Sequence, residues 1–308
     1  MKPTVLFLES VDPAAYTLLP SEDYGVILPG VESVDYGAVN AIVTRGKGEV
    51  DRPLIDRCPA LRVIVRCGVG VNNIDVDYAT THGVQVLNVP GVNAATVAEH
   101  TLGLMLMLVR GMYRLVQEVK QGNWDYRTTY AGKELRDLRL GIVGRGDIGK
   151  RVGGAAGALH MEVSYARRHR GDTAEGHLPL VDLLAQSDVV SLHVPLTSET
   201  HNLIDADALA RMQPGSYLIN TARGEIVDAA ALLDALERGQ LAGYASDLLS
   251  GEGEVQRRLV AHPGVLITPH AASLTALTFR ELSERGVRHV VEYLGGGAIG
   301  VKYRVNML

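Results

Sequence analysis

The sequence predicts an α/β protein of two domains, each built on a parallel sheet. Three observations carry this. Short, continuously apolar runs recur along the chain, which suits strands covered on both faces. Segments of helical period separate them. One run, Leu140 to Val143, stops on Gly144, and the pattern then turns helical, with Ile148, Val152 and Ala155 on one face.

At 308 residues the chain has room for two sizeable cores. Apolar residues make up 46% and charged residues 21%, values of a folded globular protein rather than a disordered one. A net charge of -5 gives no reason to expect nucleic acid or an anionic membrane as partner. Two cysteines, Cys58 and Cys67, are too few for a disulfide framework or a zinc site. No metal is expected, and a reducing cytoplasm is the default location. The apolar run after Met1 is too short for a signal peptide and reads as a first strand. Leu102 to Val109, the longest apolar stretch, is too short to span a bilayer.

In the first third, Val5–Leu8, Gly25–Leu28, Ala41–Thr44, Arg62–Arg66 and Val84–Leu87 read as strands. Two loops at their ends stand out: Thr44-Arg45-Gly46-Lys47-Gly48, and Arg66 to Asp75 with Gly68 and Gly70. In open parallel sheets ligands sit beyond the C-terminal strand ends. Exposed N–H groups at Gly68 and Gly70 suit a carboxylate, and a plain tight turn explains the glycines equally well. Cys67 reads as a small buried residue, not a nucleophile.

Ala94 to about Gln121 reads as a long helical stretch, with a break expected at Gly103 or Gly111. Its apolar face is wide, through Leu104-Met105-Leu106-Met107-Leu108, which suits a core, a subunit interface or both.

Gly144, Gly146 and Gly149 then give G-x-G-x-x-G between a strand and a helix. The first glycine allows the tight turn, the second lets the backbone approach a pyrophosphate, and the third lets helix pack on strand. This predicts dinucleotide binding. The next strand is Glu162–Ala166. An acidic residue about 20 positions beyond the first glycine accepts the ribose 2′-OH of NAD. Here Ala166 stands at that place, followed by Arg167 and Arg168. Guanidinium groups pair with a 2′-phosphate, so NADP(H) is favoured and NAD(H) remains possible.

Asp188–Val194, Ser216–Asn220, Gly243–Ser246 and Val265–Thr268 read as further strands, and Thr275–Leu294 as a helix followed by an extended tail, Val301–Val305. Arg223, Asp247 and His270 therefore each follow a strand, on the edge that carries the glycine loop, with Glu252 just after Asp247. Hydride transfer between a nicotinamide and a carbonyl needs such a set. A forked guanidinium holds a carboxylate and polarises the carbonyl. A histidine titrates near neutrality and donates a proton. An anion favours its protonated form. Asp247 has the chemistry to hold the nicotinamide amide. Any one of these residues alone reads as ordinary surface.

Taken together, the chain resembles the D-isomer-specific 2-hydroxyacid dehydrogenase family over nearly its whole length. The resemblance rests on Gly68-Val69-Gly70-Val71-Asn72-Asn73-Ile74-Asp75, Asn88 to Asn93 with Val97-Ala98-Glu99, the glycine loop, His193-Val194-Pro195-Leu196-Thr197, Asn220-Thr221-Ala222-Arg223-Gly224, Ala245 to Glu252, and Thr268-Pro269-His270. It implies a Rossmann doubly wound parallel sheet at 98–273 that binds the dinucleotide. It also implies a smaller flavodoxin-like α/β substrate domain formed by 1–97 and 274–308, with the cleft between the two. It implies Arg223, Glu252 and His270 as the catalytic set, Asp247 at the carboxamide, and Arg223 and His270 also at the substrate. Val69 and Gly70 would offer N–H groups to the substrate carboxylate. Arg145, Gly146, Asp147 and Ile148 would lie at the pyrophosphate, with Thr96, His193, Val194, Pro195, Thr221 and Ala222 around the cofactor. Family members are dimers through the nucleotide-binding domains.

Two departures matter beside Ala166. The segment Leu248 to Glu254 lacks the family's aromatic and proline around the catalytic Glu, which makes Glu254 a rival for Glu252. The chain also stops soon after its last helix. The expectation is reduction of a small 2-oxo acid of the glyoxylate or hydroxypyruvate kind. Arg45 and Lys47, at the basic loop, keep open a doubly anionic phospho- or phosphono-substrate. A dinucleotide-sensing corepressor-like binding protein is the rival from another class.

Overall fold

The computed structural model describes residues 2–166 and 176–308. The chain divides into two units, Met1–Asn93 with Ser273–Leu308, and Ala94–Ala272.

In the first unit the described strands are β1 (Thr4–Phe7), β2 (Gly25–Ile27), β3 (Val39–Thr44), β4 (Val63–Arg66) and β5 (Gln85–Leu87). They run parallel in the order β2-β1-β3-β4-β5. The apolar runs bury on both faces. Val5, Val43 and Val65 pack with Val287 and Val290 of the helix Ala276–Leu294, while Ile42, Ile64 and Val86 pack with Leu54, Ile55 and Ala79. That helix fits closely over β4: a Cβ on Gly286 would lie 2.4 Å from the Cys67 sulfur. Cys67 is buried, and burial pushes its thiol up to about 12, against the pull of Arg66 and Arg45.

The tail differs from the extended segment expected. Val301–Tyr303 is a 3₁₀ turn, after which Arg304 bridges Leu87 in antiparallel fashion. Asn306 then locks the end. Its Oδ1 accepts from Gln85 Nε2 at 2.6 Å and Val86 N at 2.7 Å, and its Nδ2 donates to Val84 O and Thr80 Oγ1.

The second unit holds β6 (Arg139–Val143), β7 (Glu162–Ala166), β8 (His177–Leu178), β9 (Val189–Leu192), β10 (Ser216–Asn220), β11 (Leu241–Ser246) and β12 (Val265–Ile267). The described strands are parallel in the order β12-β11-β10-β9-β6-β7-β8. The strand order reverses beside β6, so a crevice opens at the C-terminal ends of β6 and β9, the place where doubly wound sheets bind ligands. Leu140, Ile142 and Ile219 bury on one face, and Leu192, Leu218 and Tyr244 on the other.

The long helical stretch breaks at Gly111, not Gly103. The helix Ala94–Val109 runs through Gly103, while Gly111 takes φ 55° ahead of the helix Met112–Lys120. Among the described residues no helix is long and apolar enough to cross a membrane.

Candidate functional site

The glycine loop connects β6 to the helix Asp147–Ala158. Its three glycines do different work. Gly144 has φ 106°, and a Cβ there would sit 2.5 Å from the His193 carbonyl oxygen. A Cβ on Gly149 would sit 2.0 Å from the Gly144 carbonyl oxygen. Both are therefore closed to side chains by backbone. Gly146 is the opposite case: nothing lies within 4 Å of its Cβ position, and it caps the helix with no side-chain bond. Among the described residues the N–H groups of Asp147, Ile148 and Gly149 have no acceptor outside the helix, an arrangement that suits a phosphate. Arg145 is exposed, with its guanidinium 5.1 Å from the Tyr165 ring centroid. Asp147 and Ile148 begin the helix.

His193, at the end of β9, reaches Ser191 Oγ with Nε2 at 2.9 Å. Its Nδ1 is buried without a protein partner among the described residues, and burial lowers its pKa to about 4. Val194 and Pro195 continue this rim. The glycine turn, the first-turn N–H groups and the orphaned ring nitrogen fit a dinucleotide. Thr221, after β10, is buried and pairs with Thr101 Oγ1 at 2.8 Å. Thr101 donates to Val97 O, so Thr221 is the donor in that pair. Thr96 lies on the same helix as Thr101. Arg167 and Arg168 fall outside the described residues; Ala166 ends β7.

Three adjacent strands deliver the remaining polar groups to the same edge. Arg223 follows β10. Asn220 fixes its turn, with Nδ2 donating to Arg223 O at 2.8 Å and Oδ1 accepting from Ala222 N at 3.0 Å. One Arg223 Nη donates to Ala222 O at 2.7 Å. Gly224 next to it packs on the loop after β11: a Cβ there would meet Ser250 N at 2.6 Å. That loop carries Glu252, exposed, between two left-handed glycines, Gly251 at φ 86° and Gly253 at φ 62°. Glu254 pairs instead with Arg257 of its own helix at 2.7 Å.

His270 follows β12 in a left-handed conformation, φ 55°, uncommon for a residue with a side chain. Asp247 holds it there. The His270 N–H donates to the Asp247 carbonyl at 2.9 Å. The buried Asp247 carboxylate accepts from Thr268 Oγ1 at 2.5 Å, Ala271 N at 2.8 Å and Ala272 N at 2.8 Å. The single Thr268 hydroxyl hydrogen goes to Asp247, so His100 Nε2, 2.9 Å from Thr268 Oγ1, carries the proton of that contact. Neither His100 nor Thr268 was given a role in the site from the sequence; a histidine on an otherwise apolar helix face was the available signal for the first.

Residues 102–272 match the family model of the D-isomer specific 2-hydroxyacid dehydrogenase NAD binding domain. The chain belongs to the D-2-hydroxyacid dehydrogenase family. The hydroxypyruvate reductase of Thermotoga maritima is 34% identical over 262 residues, which cover 83% of this chain and 85% of that protein. D-3-phosphoglycerate dehydrogenase of Bacillus subtilis is 36% identical over 83% of this chain and 50% of its own length, so the chain spans about half of that relative. The solved structure of an NADPH-dependent glyoxylate/hydroxypyruvate reductase from Sinorhizobium meliloti, in complex with NADP and malonate, has a TM-score of 0.85 at 28% identity and covers 100% of both chains.

In the first unit of this family member, Asn88 Nδ2 donates to Val69 O and Val89 N donates to Gly68 O, which fixes the loop after β4. The N–H groups of Val69 and Gly70 have no acceptor among the described residues. Arg45 lies with its guanidinium 4.6 Å from the Phe279 ring centroid and one Nη 3.4 Å from Ser10 O. Lys47 is exposed.

Proposed function

We propose that this protein is a nicotinamide-dependent reductase of small 2-oxo acids, of the glyoxylate and hydroxypyruvate kind, that forms the D-2-hydroxy acid. The observation that carries this is the delivery of Arg223, Glu252 and His270 by the adjacent strands β10, β11 and β12 to the sheet edge that bears the glycine loop. Gly144, Gly146 and Gly149 would hold a reduced nicotinamide dinucleotide at that loop, and it would supply the hydride for C2 of the 2-oxo acid. The His270 imidazole gives a proton to the C2 oxygen as it becomes a hydroxyl. Glu252 favours the protonated imidazole. The Arg223 fork binds the carboxylate and draws charge from the carbonyl. Asp247 is engaged by Thr268, Ala271 and Ala272, and it orients His270 as well as serving the carboxamide. In the first unit, the N–H groups of Val69 and Gly70, without an acceptor among the described residues, suit a carboxylate.

NADP(H) is the favoured cofactor. Ala166 supports this reading, because it puts no carboxylate at the end of β7 to repel a 2′-phosphate or to accept a 2′-OH. Replacement by Asp should move the preference toward NADH. A homodimer through the Ala94–Ala272 unit accounts for its apolar surface: Met112, Tyr113, Val116 and Val260 are each close to half exposed or more, and a cavity of about 530 Å³ lies among Leu104, Met107, Tyr113 and Val260. Sedimentation of the purified protein checks it. The test of the activity is NADPH and NADH oxidation with glyoxylate, hydroxypyruvate and pyruvate. Turnover that vanishes in His270→Ala while dinucleotide still binds supports the assignment; an unimpaired variant contradicts it.

A further inference from the structure

The strand order of the first unit reverses beside β1, between β2 on one side and β3 on the other. The crevice at the C-terminal ends of β1 and β3 is the place where sheets of this order bind an anionic ligand. Here it is filled from within. Glu9 follows β1, and its Oε2 accepts from four successive N–H groups of the loop after β3: Arg45 at 2.7 Å, Gly46 at 2.8 Å, Lys47 at 3.1 Å and Gly48 at 2.9 Å. Thr44 Oγ1 stands 3.1 Å from the same oxygen. Successive N–H groups turned to one point form a concave anion-binding nest, the device that elsewhere holds phosphate.

The nest is built, not incidental. Asn73 Nδ2 donates to Gly48 O at 2.7 Å and ties this loop to the segment after β4. A Cβ on Gly48 would lie 2.6 Å from Leu8 Cβ, so the close approach of the two loops requires glycine. Burial alone would raise the Glu9 carboxyl, but the N–H bonds from Gly48, Arg45, Gly46 and Lys47 bring it down to about 2. Glu9 is therefore an anion throughout the physiological range. Arg45, the forked cation of the loop, is turned onto Phe279 and Ser10 O.

We propose that Glu9 is an internal stand-in for an external anion: it closes the backbone nest of residues 45–48 and restricts the substrate of this chain to 2-oxo acids that carry no second anionic group. The substrate clause rests on the reductase reading above; the nest itself does not. The N–H groups of this loop are the donors that a phosphate or sulfonate would use here, and they already serve a carboxylate. Removing Glu9 frees them.

The test compares the wild-type protein with Glu9→Ala and Glu9→Gln by titration with inorganic phosphate, at ionic strength held constant with chloride. Glu9→Ala should bind phosphate and gain thermal stability from it. The wild type and Glu9→Gln, whose amide oxygen still fills the nest, should do neither. Binding of phosphate to wild type and Glu9→Ala alike, or to neither, overturns the proposal. Should Glu9→Ala fail to fold, the amide proton shifts of residues 45–48 in Glu9→Gln decide. Loss of the charged acceptor should move all four, and unchanged shifts overturn the nest. The substrate clause is read from turnover. Glu9→Ala should shift the kcat/KM ratio by about tenfold toward phosphohydroxypyruvate over hydroxypyruvate, the change expected from freeing charge-assisted bonds. An unchanged ratio contradicts the clause. If the wild type reduces neither acid, the reductase reading fails together with the clause, while the phosphate titration still decides the nest.

Discussion

The main-chain carbonyl of Asp247 accepts the N–H of His270 at 2.9 Å, and this bond ties the end of β11 to the loop after β12. The Asp247 side chain repeats the tie through Ala271 and Ala272. His270 is thus held in its left-handed conformation by a residue two strand-ends of sequence away, against a backbone cost of about 1 kcal/mol. Asp247→Ala should leave two N–H groups and a hydroxyl without their acceptor. We expect a loss of about 3 kcal/mol in urea unfolding, with turnover reduced further than dinucleotide affinity. Turnover and affinity that fall in parallel would show that Asp247 does not act through His270.

The glycine loop separates folding from binding. Gly146 has open space around its Cβ position, so Gly146→Ala should leave the melting temperature within about 2 °C of wild type while weakening dinucleotide binding. Gly149→Ala drives a methyl into the Gly144 carbonyl and should lower both. Thermal melts with and without NADPH distinguish the two. Equal losses of stability would mean that Gly146 is needed by the fold rather than by a ligand.

His193 gives stability a pH dependence. Burial lowers its pKa from 6.5 to about 4, so the unfolded chain binds the proton first as pH falls. The His193 contribution is complete above pH 6.5 and is lost as pH drops toward 4, by about 3 kcal/mol at the lower end. His193→Gln should flatten the stability profile over this range relative to wild type, measured by denaturant unfolding without cofactor. Parallel profiles would contradict the burial of a neutral ring.

Asn306 closes the first unit by bonding across β5. Asn306→Ala removes four side-chain bonds and leaves Val86 N and Val84 O buried without it. A cost of about 3 kcal/mol is expected, seen as faster hydrogen exchange along Gln85–Leu87.

Much of this was legible in the sequence because it is local. Ser216–Asn220 and Glu162–Ala166 are strands at the limits their apolar runs suggest, and the glycine loop lies between a strand and a helix. The break at Gly111 rather than Gly103 was not legible. Both are glycines in one apolar run, and only the left-handed turn at Gly111 distinguishes them. The two-residue strand His177–Leu178 is too short to carry a period. Glu9 was missed for another reason. Its partners lie more than 30 residues away, and a carboxylate after a strand carries no local mark of the nest it fills. The engagement of Arg45 with Phe279 is likewise a contact across the length of the chain.

The most direct test of the reductase reading is single-turnover mixing of the purified protein, preloaded with NADPH, with glyoxylate or hydroxypyruvate, followed at the absorbance of the reduced nicotinamide. Stoichiometric oxidation in the wild type is predicted. His270→Ala should be slower by at least about a hundredfold, the scale of a lost general acid, with NADPH affinity retained. Oxidation at an undiminished rate in His270→Ala, or none in the wild type with NADPH and NADH alike, would contradict it.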